Sequence, residues 1–185
     1  MNFNKFLRIS KNFKSKSSAF TLVEVLIAIS ILIIGILSGF ILVTRALYNV
    51  AVIKDRLTAS FLAQEGIELT RQIRDSNFLR ILDEESADWR DGLGDGTYII
   101  ESKVDSEGSI GLVPIAEDEN RYFLYNDVLK IYNYSTGEPT NFNRKIKITT
   151  ISADEIRVES IMQWKTRRID FDLFVEDHLY NWMKL

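Results

Sequence analysis

Residues 20–43 form an uninterrupted apolar run that admits one charge, Glu24, close to its start. As a helix rising 1.5 Å per residue the run reaches roughly 36 Å, enough to cross a hydrocarbon core with some tilt. Beyond Val43 the pattern turns periodic. Leu47, Val50, Ala51, Leu57, Phe61, Leu62, Leu69 and Ile73 recur at three-to-four spacing, while Lys54, Asp55, Arg56, Glu65, Glu68 and Arg71 fall mostly on other faces. That spacing predicts an amphipathic helix whose stripe needs a surface to cover it. No proline interrupts the stretch, and Asp75-Ser76-Asn77 reads as its end. The chain therefore divides into a basic leader at 1–19, a membrane-length helix at 20–43, an amphipathic continuation at 44–77 and a globular domain at 78–185.

Within that last domain the hydrophobic period shifts toward two. Thr97-Tyr98-Ile99-Ile100 follows a Gly and Asp cluster and reads as a strand entered from a loop. Residues 145–151, 155–164 and 167–176 are rich in strand formers. In the last two, Ile156, Val158, Met162 and Trp164, then Ile169, Phe171, Leu173 and Val175, alternate with mostly polar neighbours. Connections at Ser152-Ala153-Asp154 and Lys165-Thr166 suit hairpins, so an antiparallel meander with one covered face is predicted. Residues 122–125 and 128–134 add strands or an insertion. The fold class is α+β, a long N-terminal helix packed on a C-terminal antiparallel sheet.

Charge gives this layout a direction. Lys5, Arg8, Lys11, Lys14 and Lys16 precede the apolar run without an acid among them, which holds the N-terminus in the cytoplasm and sends the C-terminal domain outside. The whole chain carries a net charge of −3; loss of the leader's five cations leaves 18 basic against 26 acidic residues, a balance of −8. An acidic exported domain offers no basic footprint for nucleic acid. With no cysteine it has no disulfide framework, and a hydrophobic core or assembly must hold it together. With no thiol and one histidine, thiol nucleophiles and multi-histidine metal sites are excluded, and no phosphate-cradling glycine motif is present. Neither an enzymatic activity nor a cofactor is expected. The single histidine, His178, reads as a solvated or capping residue.

The order of leader and apolar run differs from a secretory signal, in which the apolar stretch precedes the cut. Here the polar leader ends at Ser17-Ser18-Ala19, and a cut after Ala19 would leave a mature chain that begins at Phe20 and keeps its membrane segment. A cut after Thr44-Arg45-Ala46 would follow an apolar region too long for an ordinary signal. Ionisable groups inside membrane-length helices default to function, so Glu24 requires a partner. An amine created at Phe20 would lie one helical turn from Glu24, and a unit pair about 4 Å apart at an effective dielectric of about 20 attracts by roughly 4 kcal/mol. That amine would belong to the same subunit or to a neighbour. The simpler role for Glu24 is to complement the helix dipole and snorkel to the interface, worth roughly 0.3–1 kcal/mol.

The segment Ala19-Phe20-Thr21-Leu22-Val23-Glu24-Val25-Leu26-Ile27-Ala28 resembles the cleavage and methylation motif of type IV prepilins and type II secretion pseudopilins. The resemblance implies removal of the leader after Ala19 by a membrane-embedded prepilin peptidase, which also methylates the new amine of Phe20. It further implies that Glu24 guides addition of the subunit to a filament base. Implied partners are the peptidase/N-methyltransferase, other pilin or pseudopilin subunits, an inner-membrane assembly platform and membrane lipid. The family usually has Gly before the cut, where this chain has Ala19. Ala63-Gln64-Glu65-Gly66-Ile67-Glu68, with residues 71–77 and later 158–164, is similar to the I-type minor pseudopilins and related minor pilins. The family's tip-capping pseudopilin lacks the glutamate, so Glu24 implies a place below the tip.

Three further features are candidates. Gly35 and Gly39 form a GxxxG pair that lets membrane helices approach closely, although such pairs also serve routine packing. Asp88, Asp91 and Asp95 are oxygen ligands that would suit calcium, but they lack the spacing and terminal Glu of an EF-hand and a plain turn is favoured. Glu117-Asp118-Glu119 reads as a solvated loop. The expected function is that of a minor pilin or pseudopilin; the competing class is a signal-anchored extracytoplasmic binding domain that does not polymerise.

Overall fold

The computed structural model describes residues 20–83, 88–102 and 110–183. One helix, α1, runs Leu22–Leu82, followed by strands β1 Gly96–Ser102, β2 Ile110–Pro114, β3 Tyr122–Asn126, β4 Ile131–Asn133, β5 Glu138–Ser152, β6 Glu155–Thr166 and β7 Ile169–Tyr180. Two compact units meet between Leu47 and Tyr48. In the first, the helical residues from Leu22 onward are exposed throughout and gain no tertiary cover.

The second unit is α+β. All seven strands join one sheet in which every pairing is antiparallel. β5 is its spine. One edge of β5 pairs with β6, which pairs in turn with β7; the other edge is shared, its N-terminal half pairing with β3 and its C-terminal half with β1. The β5–β6 and β6–β7 connections each contain two residues, Ala153-Asp154 and Arg167-Arg168. The second turn lies two residues beyond the predicted Lys165-Thr166, because Thr166 still pairs with Ile169 and Arg167 takes the positive φ of 58° that the tight turn needs. The run 128–134 contributes only the short β4, since Val128 lies in the preceding turn. At Gly137 the backbone has φ 134° and a Cβ would stand 2.4 Å from the Tyr125 carbonyl oxygen, so glycine alone fits there.

The helix departs from the predicted one in two ways. Its buried face is Ala59, Leu62, Ala63, Gly66, Ile67, Leu69, Thr70, Asn77 and Phe78, so Leu62 and Leu69 of the predicted stripe are buried, whereas its Val50, Leu57 and Phe61 are 63, 55 and 62% exposed. The sheet selects small residues because the helix lies close to it. A Cβ on Gly66 would meet Ile146 Cδ1 at 2.7 Å, Arg144 Cδ at 3.1 Å and Ser160 Oγ at 3.1 Å. The helix also runs on to Leu82 past the predicted stop, because Asn77 is buried and donates from Nδ2 to the carbonyls of Trp89 (3.2 Å) and Asp91 (2.8 Å) instead of capping the helix.

Two clusters form the core. Ile67, Phe78, Trp89, Leu93, Ile100, Ile146, Ile148, Ile156, Val158 and Leu179 make one. Ala59, Leu62, Ala63, Phe123, Phe142, Met162 and Trp164 are the centre of the other. Of the predicted alternating residues, Ile156, Val158, Met162 and Trp164 are buried, while Ile169 at the start of β7 is 51% exposed. Arg144, 1% exposed, donates to the Leu62 carbonyl (2.6 Å), to Glu65 (2.9 Å) and to the Ile100 carbonyl (2.6 Å). Gly66→Leu should overpack this contact and lower stability by about 1–3 kcal/mol, read from urea denaturation of the full chain in detergent micelles.

Candidate functional site

The helix begins with a cap that the sequence reading passed over. Thr21 Oγ1 accepts the Glu24 amide at 3.2 Å, and the Thr21 carbonyl accepts the Val25 amide at 3.2 Å, so Thr21 is the N-cap and Glu24 the third helical residue. The signal was present in the chain. Thr-x-x-Glu before an apolar run is the capping-box pattern, in which the hydroxyl satisfies an orphan amide and the acid lies at the positive end of the helix dipole.

Phe20 stands outside the helix and is 75% exposed. The expectation that Phe20 and Glu24 share a helical face is therefore corrected: the cap begins one residue later, and a capping residue takes non-helical backbone angles. The backbone on the C-terminal side of the Ala19–Phe20 bond is accordingly non-helical. Ala19 and the rest of the leader lie outside the described residues.

Glu24 is the only charged residue of α1 before Arg45. The polar side chains that follow it are satisfied within the helix: Ser30 donates to the Leu26 carbonyl at 2.8 Å, Ser38 to Ile34 at 2.7 Å and Thr44 to Ile41 at 2.9 Å. Internal satisfaction of this kind is what an apolar solvent requires. The segment is long and apolar enough to cross a membrane. Gly35 and Gly39 have nothing within 4 Å of where a Cβ would stand, so their close-approach surface has no partner among the described residues.

The chain carries the prokaryotic N-terminal methylation motif. The family match covers residues 14–40, which include Lys14, Lys16, Ala19, Phe20, Thr21, Glu24, Gly35 and Gly39. It supports a type IV prepilin-like N-terminal segment. No curated protein and no solved structure matches the chain significantly.

The remaining candidates are tied up locally. Asp88 Oδ1 accepts the Arg90 amide at 2.9 Å; Asp91 Oδ2 accepts the Asp88 amide at 3.2 Å and lies 3.6 Å from Arg80. Asp95 accepts the Thr150 amide at 2.5 Å, and its hydrogen bonding with Thr150 holds the carboxyl below its usual range. No group of three or more His, Asp, Glu or Cys side chains among the described residues is disposed to hold a metal ion.

His178 lies on β7 with Nδ1 2.6 Å from Glu155 and Nε2 3.2 Å from Glu176. Hydrogen bonding to Glu155, then to Glu176, raises its pKa above the ordinary 6.5. Because the folded value is the higher one, the imidazolium's contribution to stability is fully present below the unfolded pKa and is lost as pH rises through the folded pKa. An NMR titration of the full chain should show this elevated pKa, and Glu155→Gln should move it down toward 6.5.

Proposed function

We propose that this chain is a minor pilin or pseudopilin, a structural subunit that is cut after Ala19, methylated on Phe20 and inserted into a type IV or type II secretion-type filament. The observation that carries this reading is the methylation motif at residues 14–40, whose part from Leu22 onward lies on a capped apolar helix with a single acid in its first turn. Cleavage adds water across the Ala19–Phe20 bond, leaving a carboxylate on the leader and a protonated amine on Phe20. Methylation moves a methyl group from the methyltransferase's electrophilic methyl donor, whose bond to that carbon breaks, onto the neutral amine; one N–H proton is released to solvent and the nitrogen stays protonatable. The cation then lies one residue outside the Thr21 cap, and Glu24 is its counter-charge on this chain or on a neighbour.

Before assembly the subunit is a single-pass protein of the cytoplasmic membrane, N-terminus inside and sheet domain outside. The exposed residues Val50, Ile53, Leu57 and Phe61 of α1 support assembly as well, since each is more than half exposed and an isolated domain would bear that apolar surface against water.

Mass spectrometry of the mature protein should find N-methylphenylalanine from Phe20 at its terminus; a chain that begins at Met1 or beyond Ala46 would overturn the proposal. Glu24→Gln separates charge from capping, because Gln at the third helical position keeps the capping-box geometry and removes the charge. The variant should be cleaved normally and fail to enter filaments. Wild-type incorporation would reduce Glu24 to a capping residue.

A further inference from the structure

We propose that the sheet face turned away from α1 holds a binding groove for a neutral saccharide. Arg144, Ile146 and Ser160 face Gly66 of the helix, so the alternate residues of β5 and β6 point to the other side. There, Tyr122 of β3, Asn143 of β5, Gln163 of β6 and Asp172 of β7 occupy directly paired positions and make one row across four strands. At the usual strand spacing this row spans roughly 14 Å. The groove over it has a volume of about 490 Å³ and is also lined by Phe174 and by the Lys165–Asp170 ion pair, 3.2 Å apart.

One lining carboxamide is only half satisfied among the described residues. Asn143 is 2% exposed and donates from Nδ2 to Asn120 Oδ1 at 2.8 Å, while its Oδ1 has no hydrogen bond. In either orientation of the amide, one polar end is left unpaired, a costly arrangement that a ligand hydroxyl would relieve.

The lining chemistry selects the ligand class. Tyr122 and Phe174 are 52 and 62% exposed and offer aromatic faces against which the C–H face of a pyranose ring can stack. The carboxamides of Asn143 and Gln163 carry donors and acceptors side by side, matching vicinal hydroxyls, and Asp172 accepts hydroxyl protons. The only lining cation, Lys165, is paired with Asp170, so an anionic ligand finds no free counter-charge. The groove lies within the sheet, and this reading stands apart from processing at Phe20.

The test is an NMR titration of the full-length chain in a zwitterionic detergent, because alkyl-maltoside headgroups would compete. The probes are maltose, cellobiose and N,N′-diacetylchitobiose, which separate α-glucans, β-glucans and amino-sugar wall polymers as sources. At least one should give saturable shifts confined to the amides around Tyr122, Asn143, Gln163 and Asp172. Tyr122→Ala and Gln163→Ala, both on the surface row, should each weaken binding at least tenfold, while Glu159→Gln on the same face leaves it unchanged. No saturable shift with any of the three sugars at millimolar concentration would overturn the proposal. So would shifts that persist unaltered in both alanine variants, or saturable binding of a basic peptide at these residues without binding of sugar.

Discussion

The guanidinium of Arg144 joins three elements at one buried point. From β5 it reaches the Leu62 carbonyl and the Glu65 carboxylate on α1 and the Ile100 carbonyl on β1, and it lies 4.9 Å from the centre of the Phe123 ring. A cation held at 1% exposure costs several kcal/mol to desolvate, and here both terminal nitrogens of the guanidinium find acceptors while Nε has none among the described residues. The helix must therefore come close enough for its backbone carbonyl to be within reach. Gly66, one turn beyond Leu62, is the residue that permits it, and Ala59, Ala63 and Thr70 continue the same narrow face.

That close approach uses one side of the helix and leaves the other open. Within the unit beginning at Tyr48, the side chains that meet the sheet are small or polar as often as large, while Val50, Ile53, Leu57 and Phe61 remain in solvent. The helix thus has two apolar faces of different character. A narrow one is matched to the chain's own sheet, and a broad one is unmatched among the described residues. The sheet has a similar division: mostly aliphatic and aromatic residues face α1, with Arg144 and Ser160 among them, and the alternate positions carry most of the carboxamides and carboxylates beside Tyr122 and Phe174.

The N-terminal end obeys a different constraint, that of an apolar solvent with nothing to satisfy stray polar groups. Ser30, Ser38 and Thr44 bond back to helix carbonyls, and Thr21 takes up an orphan amide of the first turn. Glu24 is the exception that the cap does not neutralise. Its dipole interaction is worth about 0.3–1 kcal/mol, against roughly 4 kcal/mol for a cation about 4 Å away, so an amine at that distance would be the stronger partner.

Much of this was legible locally. The apolar run, the helix that follows it and the alternation of β6 and β7 depend on periods of 3.6 and 2, which the chain carries whatever it packs against. Thr-x-x-Glu is equally local and marks the helix start. Other features were beyond such reading. Asn77 looks like a cap in sequence and becomes an interior donor because the carbonyls of Trp89 and Asp91 come to it. Large residues such as Leu57 and Phe61 outweigh Gly66 in any hydrophobic pattern, yet the sheet chooses by size, since steric contact falls off within fractions of an ångström while periodicity records only polarity. Nothing adjacent to Arg144 distinguishes it from the lysines around it, and nothing in the spacing of Tyr122, Asn143, Gln163 and Asp172 marks them as neighbours. The sequence by itself determined the elements, the membrane-length segment and its lone charge, because these follow from neighbours along the chain. Only the tertiary structure decided which face of the helix is buried, where the cation goes and which polar residues share a groove, because those depend on strand register and close contact between distant segments.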